Sequence, residues 1–480
     1  MKKIKYITFL ILAGIGIVSC KKDKLDLFPY NQIETTQAFN TEPDVTLAIN
    51  GMYAGLRTSG SYFVSGTWNI VADVLADNLI INQTGRLTQK TYGEWRYTGE
   101  NTFGLFQGGY TIIRRANAVL ENIDAFADGA FKNNAKGEAL AFRAMVYFDM
   151  SRVYGKTFLN AGATDSIMPY ITTTDPTIMP SKESVAQFYG KVIADLELAK
   201  TLIGTGNGIY RLNKSAVAAL LSRVYLYKGD WANCITASNE ALGATPNLPS
   251  RAAFPGIWVD DAASNGAVFF KVRNTTLDNV NSQGVNYYQT VSGERKSEYN
   301  IDYNFKQLFT ATDIRTTAYL STSPFNGVSY THVIKYNGRT GGVAGVVDGK
   351  VIRTAEVLLN RAEAYYRSAT SNPTAALADL VLLKTNRYSG YVAETLTGQA
   401  LLDEIYLQRR LELAFEGDRF WDLKRRNLPV VRDASKGERA DGTGTPYVFT
   451  TLAAGDYRFQ LPFPQSEVNF NTNLKQVPGY

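Results

Sequence analysis

Glu412 and Glu416 stand one helical turn apart in the run E-L-A-F-E, and two neighbouring carboxylates are the simplest means a chain has of dividing acid and base roles. The residues around them point to a different use. On a helical wheel drawn through 404–426 and the residues just before it, Leu402, Ile405, Tyr406 and Leu413 share a stripe with Arg409 and Glu416, so charge is carried into a buried face. A like-charge pair at i,i+4 costs a free helix roughly 0.2–0.5 kcal/mol. Arg409, three residues before Glu412, and Arg419, three after Glu416, are placed to compensate it. The expectation is a structural ionic network of Arg409, Glu412, Glu416 and Arg419 rather than a catalytic pair.

Other chemistry is weaker still. Asp73 and Asp77 are spaced for one helical face but are read as solvated or capping carboxylates. Asp260 and Asp261, with nearby carbonyls, are the one place considered for a structural calcium ion, and they lack the ligand spacing of a known loop. Gly155-Lys156-Thr157 lacks the earlier glycine of a phosphate loop, and the single histidine, His332, excludes multi-histidine metal sites. Cys234 reads as a buried free thiol rather than a nucleophile, since with His332 the one histidine in the sequence no cysteine–histidine pair has sequence support. No catalytic residue, metal or other cofactor is expected.

The elements that would position these residues are mostly helices in pairs. Apolar residues recur at helical spacing over 106–158, with a break at Asp128, Gly129, Asn133 and Asn134. A second set runs from Ser181 to Leu202 and from 213 to 242, where Gly229-Asp230-Trp231 makes a turn in a tetratricopeptide-like pattern. A third occupies 351–387, broken at Ser371-Asn372-Pro373, and Leu47, Met52 and Leu56 define a first helix. Such pairs cannot bury their cores alone and must stack. The fold is therefore read as mainly α: one helical domain over 20–480, with scaffold at about 40–242 and 351–426. A loop-rich insertion with a few short strands occupies about 243–350, and an irregular tail follows over 427–480.

Residues 1–19 have a basic start and an apolar run from Ile7 to Val18 that is too short to span a bilayer, so they read as a signal peptide. The ending Ile17-Val18-Ser19-Cys20 resembles a lipobox, which implies cleavage before Cys20 and lipid attachment to it. Several acyl chains, at about 0.8 kcal/mol per buried methylene, would anchor the protein. The formal charge is +6, of which Lys2, Lys3 and Lys5 supply three, so the mature chain carries +3 and gives no sign of a nucleic-acid partner. The 29 tyrosines are many for a plain helical scaffold and suggest a binding surface.

The run R-R-L-E-L-A-F-E-G-D-R-F-W-D-L-K-R at 409–425 resembles the C-terminal signature of the SusD/RagB-type outer-membrane lipoproteins. So do A-F-R-A-M-V-Y-F-D-M-S-R-V-Y-G at 141–155, the stretch 27–56, and the terminal segment ending in Pro478-Gly479-Tyr480. The resemblance implies a cell-surface, lipid-anchored subunit that caps a SusC-like TonB-dependent transporter and delivers oligosaccharides or similar nutrients to it. Some members imply a peptide ligand instead, and a scaffolding repeat protein that binds no small ligand is a further alternative. Sugar rings suit aromatic platforms fringed by amides. Trp95, Tyr97 and Asn101, in the glycine-rich W-R-Y-T-G-E-N-T-F, are the first ligand-binding expectation, and Tyr287 and Tyr288 in the insertion are the second.

Overall fold

The structure is a computed structural model, and it describes residues 38–58, 67–102, 104–277, 283–287, 289–336, 338–343 and 345–480. The leader, Cys20, the part of the 27–56 stretch before residue 38, Phe103 and Tyr288 lie outside the described residues. The protein is mainly α-helical, with short strands between the helices.

Helix α1 (Glu42–Thr58) opens where the Asp44 carboxylate accepts from the Thr41 backbone N–H at 2.8 Å and its hydroxyl at 2.7 Å. After α2 (Thr67–Leu75) come α3 (Leu105–Asn122) and α4 (Ala130–Tyr154). Asn133 and Asn134, expected in the break, lie inside α4, which starts directly after Gly129. Helix α5 (Val185–Leu202) starts later than Ser181, because Ser184 is the residue whose side chain accepts from the Gln187 N–H. Helices α6 (Lys214–Lys228) and α7 (Trp231–Leu242) are capped by Asn213 and Asp230 in the same way. Gly229 turns the chain between them at φ +74°, and a Cβ there would sit 2.5 Å from the Leu159 side chain. Gly229→Ala is accordingly expected to lower stability by about 1–3 kcal/mol, read as a shifted urea midpoint.

Helix α8 (Thr354–Arg367) packs directly on α7, although about 110 residues separate them in sequence. The order of packing is α1, α3, α4, α5, α6, α7, α8, with α9 (Pro373–Thr385) and α10 (Gly398–Glu412) closing on α8. The insertion thus leaves and rejoins the stack without interrupting it. A strand pair closes its base: β1 (Val268–Val272) runs antiparallel to β2 (Gly349–Arg353), and β2 leads straight into α8. Among the described residues the strands pair two by two.

Helix α4 runs through the middle of the stack, buried without a gap from Gly137 to Tyr154. A helix buried on all sides must neutralise its polar residues internally. Glu138 accepts from Arg211 at 2.8 and 2.9 Å and from the Tyr53 hydroxyl at 2.7 Å. Arg143 grips Asp195 through two bonds of 2.8 and 2.9 Å, and Arg152 pairs with Asp149 one turn away.

Candidate functional site

The single helix expected over 404–426 is two. Helix α10 ends at Glu412, the chain turns with Phe415 at φ +66° and Gly417 at φ +77°, and α11 (Arg419–Arg425) begins afresh. A Cβ on Gly417 would lie 3.1 Å from the Trp68 carbonyl oxygen, so the turn is pressed against α2. The break changes the ionic partners. Glu412 accepts from Arg387 at 2.9 Å on each oxygen, from Arg353 at 3.1 Å and from Arg315 at 3.4 Å. Glu416 takes Arg353 at 2.7 Å on both oxygens and Lys335 at 2.6 Å. Arg409 turns to Asp418 at 2.9 Å, and Arg419 holds Asp77 at 2.7 and 2.9 Å. Arg409, Glu412, Glu416 and Arg419 therefore do not pair with one another as expected. Their counter-ions come from the insertion, the end of β2, the residues just after α9 and α2, and the turn, because the chain leaves the helix at Glu412 and packs these side chains against those segments.

This arrangement does not suit acid–base work. Burial alone would raise the Glu412 carboxyl, but the guanidinium groups of Arg387 and Arg353 hold it well below the usual carboxylate range. Asp73 and Asp77 are also parted. Burial pushes Asp73 up to about 7, and its one engaged oxygen accepts from Asn78 at 2.8 Å and from the Phe415 N–H at 3.3 Å. Asp77, opposed by burial, is brought down to about 2 by Arg419 and Arg410. The expectation that both are solvated or capping groups fails, since Asp73 is fully buried and Asp77 is ion-paired. Asp260 is occupied by Lys350 at 2.5 Å and by the Asp348 N–H at 2.8 Å, so its oxygens are not turned to a cation site. Cys234 is buried, its thiol donating to the Ser222 carbonyl at 3.3 Å.

The aromatic residues expected to meet ligand lie mostly in the core. Trp95 is 3% exposed, donates its indole N–H to the Leu75 carbonyl at 2.9 Å and carries the Arg432 guanidinium 4.1 Å above its ring. Tyr97 is buried, stacks on Tyr92 with ring centres 5.8 Å apart and donates to the Arg458 carbonyl. Tyr287 is buried too, parallel to Tyr336 at 5.6 Å. Among the described residues of this set only Asn101 is exposed, and its Oδ1 closes a local turn by accepting from the Thr98 N–H at 2.6 Å. The i,i+2 spacing of Trp95 and Tyr97 misled because the tail folds back over this segment and buries both faces.

The concave surface lies elsewhere. A groove of about 440 Å³ opens between α3, the segment 169–180 and the short tail helix α12 (Gln465–Phe470). Phe106 and Tyr110 form its floor, edge to face at 4.9 Å. Tyr110 donates to the Pro169 carbonyl at 2.7 Å, and Asn117 donates to the carbonyls of Ile171 and Thr173 at 3.1 Å, which fixes the opposite wall. Asn471 ties the tail to that wall through the Pro180 carbonyl at 2.9 Å. Phe470 stands at the rim, 67% exposed, beside the exposed Ile178. Arg114 and Asp175 supply polar groups to the same rim. Sequence reasoning missed this groove. Its one local signal is an aromatic residue in an otherwise polar run, V-N-F-N-T-N, at 468–473. A second cleft, of about 600 Å³, lies on the other side of the 164–182 segment.

Two family models divide the chain between them. A model described as starch-binding and associating with the outer membrane matches 23–226, and the model of the SusD family matches 273–480. The chain belongs to the SusD/RagB family. SusD-like protein P2 of Formosa agariphila is 26% identical across the whole of both chains. Among solved structures, a SusD superfamily protein of Bacteroides vulgatus is 25% identical with a TM-score of 0.80, the match covering 92% of this chain and all of that one. Another, of Bacteroides thetaiotaomicron, is 25% identical with a TM-score of 0.78 over 91% of this chain and all of that one. In this SusD-like chain the signature over 409–425 forms the turn and the ionic core that lock α10 and α11 to the stack.

Proposed function

We propose that this SusD-like protein is a non-enzymatic, lipid-anchored lipoprotein of the outer-membrane surface that binds an oligosaccharide and passes it to a SusC-like TonB-dependent transporter. Membership of a family one of whose models is described as starch-binding and associating with the outer membrane supports the class and place. Among the described residues no helix is long and apolar enough to cross a membrane, which fits attachment through Cys20. The observation that carries the ligand reading is the groove itself. Its volume is in the range of small-ligand sites, its floor is aromatic, and Phe470 offers an open ring face with Arg114 and Asp175 beside it. Apolar C–H faces of a sugar stack on such a ring, while its hydroxyls meet the guanidinium and carboxylate.

Titration of a panel of neutral oligosaccharides against the full chain tests this. Phe470→Ala is expected to weaken the ligand at least tenfold, about 1.4 kcal/mol, with an unchanged melting temperature. Undiminished affinity for the best ligand would remove the groove from the site. Purification through the lipid-bearing chain, with an adjacent TonB-dependent transporter recovered alongside it, is the expected result for the partner.

A further inference from the structure

Five lysines are buried among the described residues: Lys271, Lys335, Lys350, Lys384 and Lys424. The first four have carboxylate partners: Lys271 pairs with Asp348, Lys335 with Glu416, Lys350 with Asp260, and Lys384 with Glu394 and Glu404. Lys424 has none among the described residues. Its ammonium makes one hydrogen bond, to the Arg152 carbonyl at 2.6 Å, and so uses one of three N–H groups. An uncompensated buried cation is costly unless an anion joins it.

Lys424 belongs to the wall of the second cleft, the one of about 600 Å³. Lys182, in the same wall, is half-buried and also has no carboxylate partner among the described residues; its ammonium lies 6.0 Å from the centre of the Phe463 ring. The two carboxylates of the cleft are already engaged, Asp165 by Lys156 at 2.9 Å and Asp456 by Arg458 at 2.8 Å. The remaining charge is two ammonium groups. Around them are the side chains of Asn160, Ser166 and Gln460, and the Tyr457 ring is 46% exposed at the edge. Burial draws the Lys424 and Lys182 ammonium groups below their usual range, as expected for cations whose counter-ion is missing.

We propose that this cleft is a second binding site, distinct from the groove, that takes an acidic saccharide through its carboxylate or sulfate ester, with Lys182 and Lys424 as the cationic partners. The amides and hydroxyls then receive the sugar hydroxyls, and Tyr457 covers a ring face. The site stands whether or not the groove binds neutral glycans.

Calorimetric titration of the full chain with methyl glucuronide, glucose 6-sulfate, methyl glucoside and inorganic sulfate tests it. At least one acidic sugar is expected to bind, the neutral glucoside at least tenfold more weakly, and binding is expected to weaken as salt rises. Lys182→Met should reduce affinity for the acidic sugar at least tenfold at an unchanged melting temperature. Lys424→Met should do the same with a melting temperature equal or higher, since it removes an unpaired buried charge. Phe470→Ala should leave this binding intact, which separates the site from the groove. Equal affinity for glucoside and glucuronide, or full affinity in Lys182→Met, would overturn the assignment. Sulfate ion binding as tightly as the sugars would overturn its saccharide part.

Discussion

Glu412→Ala is expected to destabilise the fold by about 3–5 kcal/mol, the cost of leaving buried charges without their partner. Three guanidinium groups converge on this one carboxylate, and Arg315, Arg353 and Arg387 are each essentially inaccessible to water. They arrive from the insertion, the end of β2 and the residues just after α9; the first and last of these also meet through the Ile314 N–H donating to the Arg387 carbonyl at 2.9 Å, and the carboxylate ties both to β2. Glu416→Ala should cost less, because Arg353 keeps Glu412 and the Lys335 ammonium keeps the Ala414 carbonyl at 2.7 Å. Urea unfolding of the two variants checks the order, and a Glu412→Ala midpoint equal to wild type would refute it. The pH sense follows from a carboxyl whose folded pKa is depressed. Its stabilisation is complete above the ordinary value of 4.5 and is lost progressively as pH falls from there through the lower folded value. None of these residues lines the groove, so ligand affinity should survive in the fraction that remains folded.

The helical stack was legible because its signals are local. Period 3.6 in 141–154, the caps at Asn213, Asp230 and Asn372, and the left-handed glycine at 229 each act within a few residues. The break at 413–418 was half legible, since Gly417 sits at φ +77° in the run F-E-G-D. The counter-ions of Glu412 were not legible at all: they lie 25, 59 and 97 residues away, and helical reach offered a nearer but wrong arginine. Trp95, Tyr97 and Tyr287 failed for the same reason. Their rings look displayed in an irregular segment, and only tertiary partners such as Arg432, Arg458 and Tyr336 decide that they are covered. The groove joins Phe106 and Tyr110 to Phe470, more than 350 residues later, so no window of sequence could have assembled it.

Asp73→Asn should change how stability depends on pH more than any surface substitution. Asp73 is fully buried, and burial raises its carboxyl from 3.8 to about 7. Between those values the folded chain holds a proton that the unfolded chain has released, so this residue removes about 1.4 kcal/mol of stability for each unit of rising pH. His332 acts in the opposite sense. Burial, with a contribution from Arg295, lowers it from 6.5 to about 4, so between those values the unfolded chain binds the extra proton and stability rises with pH by the same amount per unit. Lys335, lowered to about 8 by burial, begins to contribute only above that window. The two slopes cancel over most of pH 4–6.5 in the wild type, and a flat profile there would by itself say nothing. Asp73→Asn keeps an oxygen to accept from Asn78 and the Phe415 N–H while removing the titration. The variant should therefore gain stability relative to wild type as pH rises from 4 to 7, by roughly 4 kcal/mol in total. Unfolding free energies at half-unit intervals check this, and parallel profiles for the two proteins would mean that Asp73 is ionised throughout.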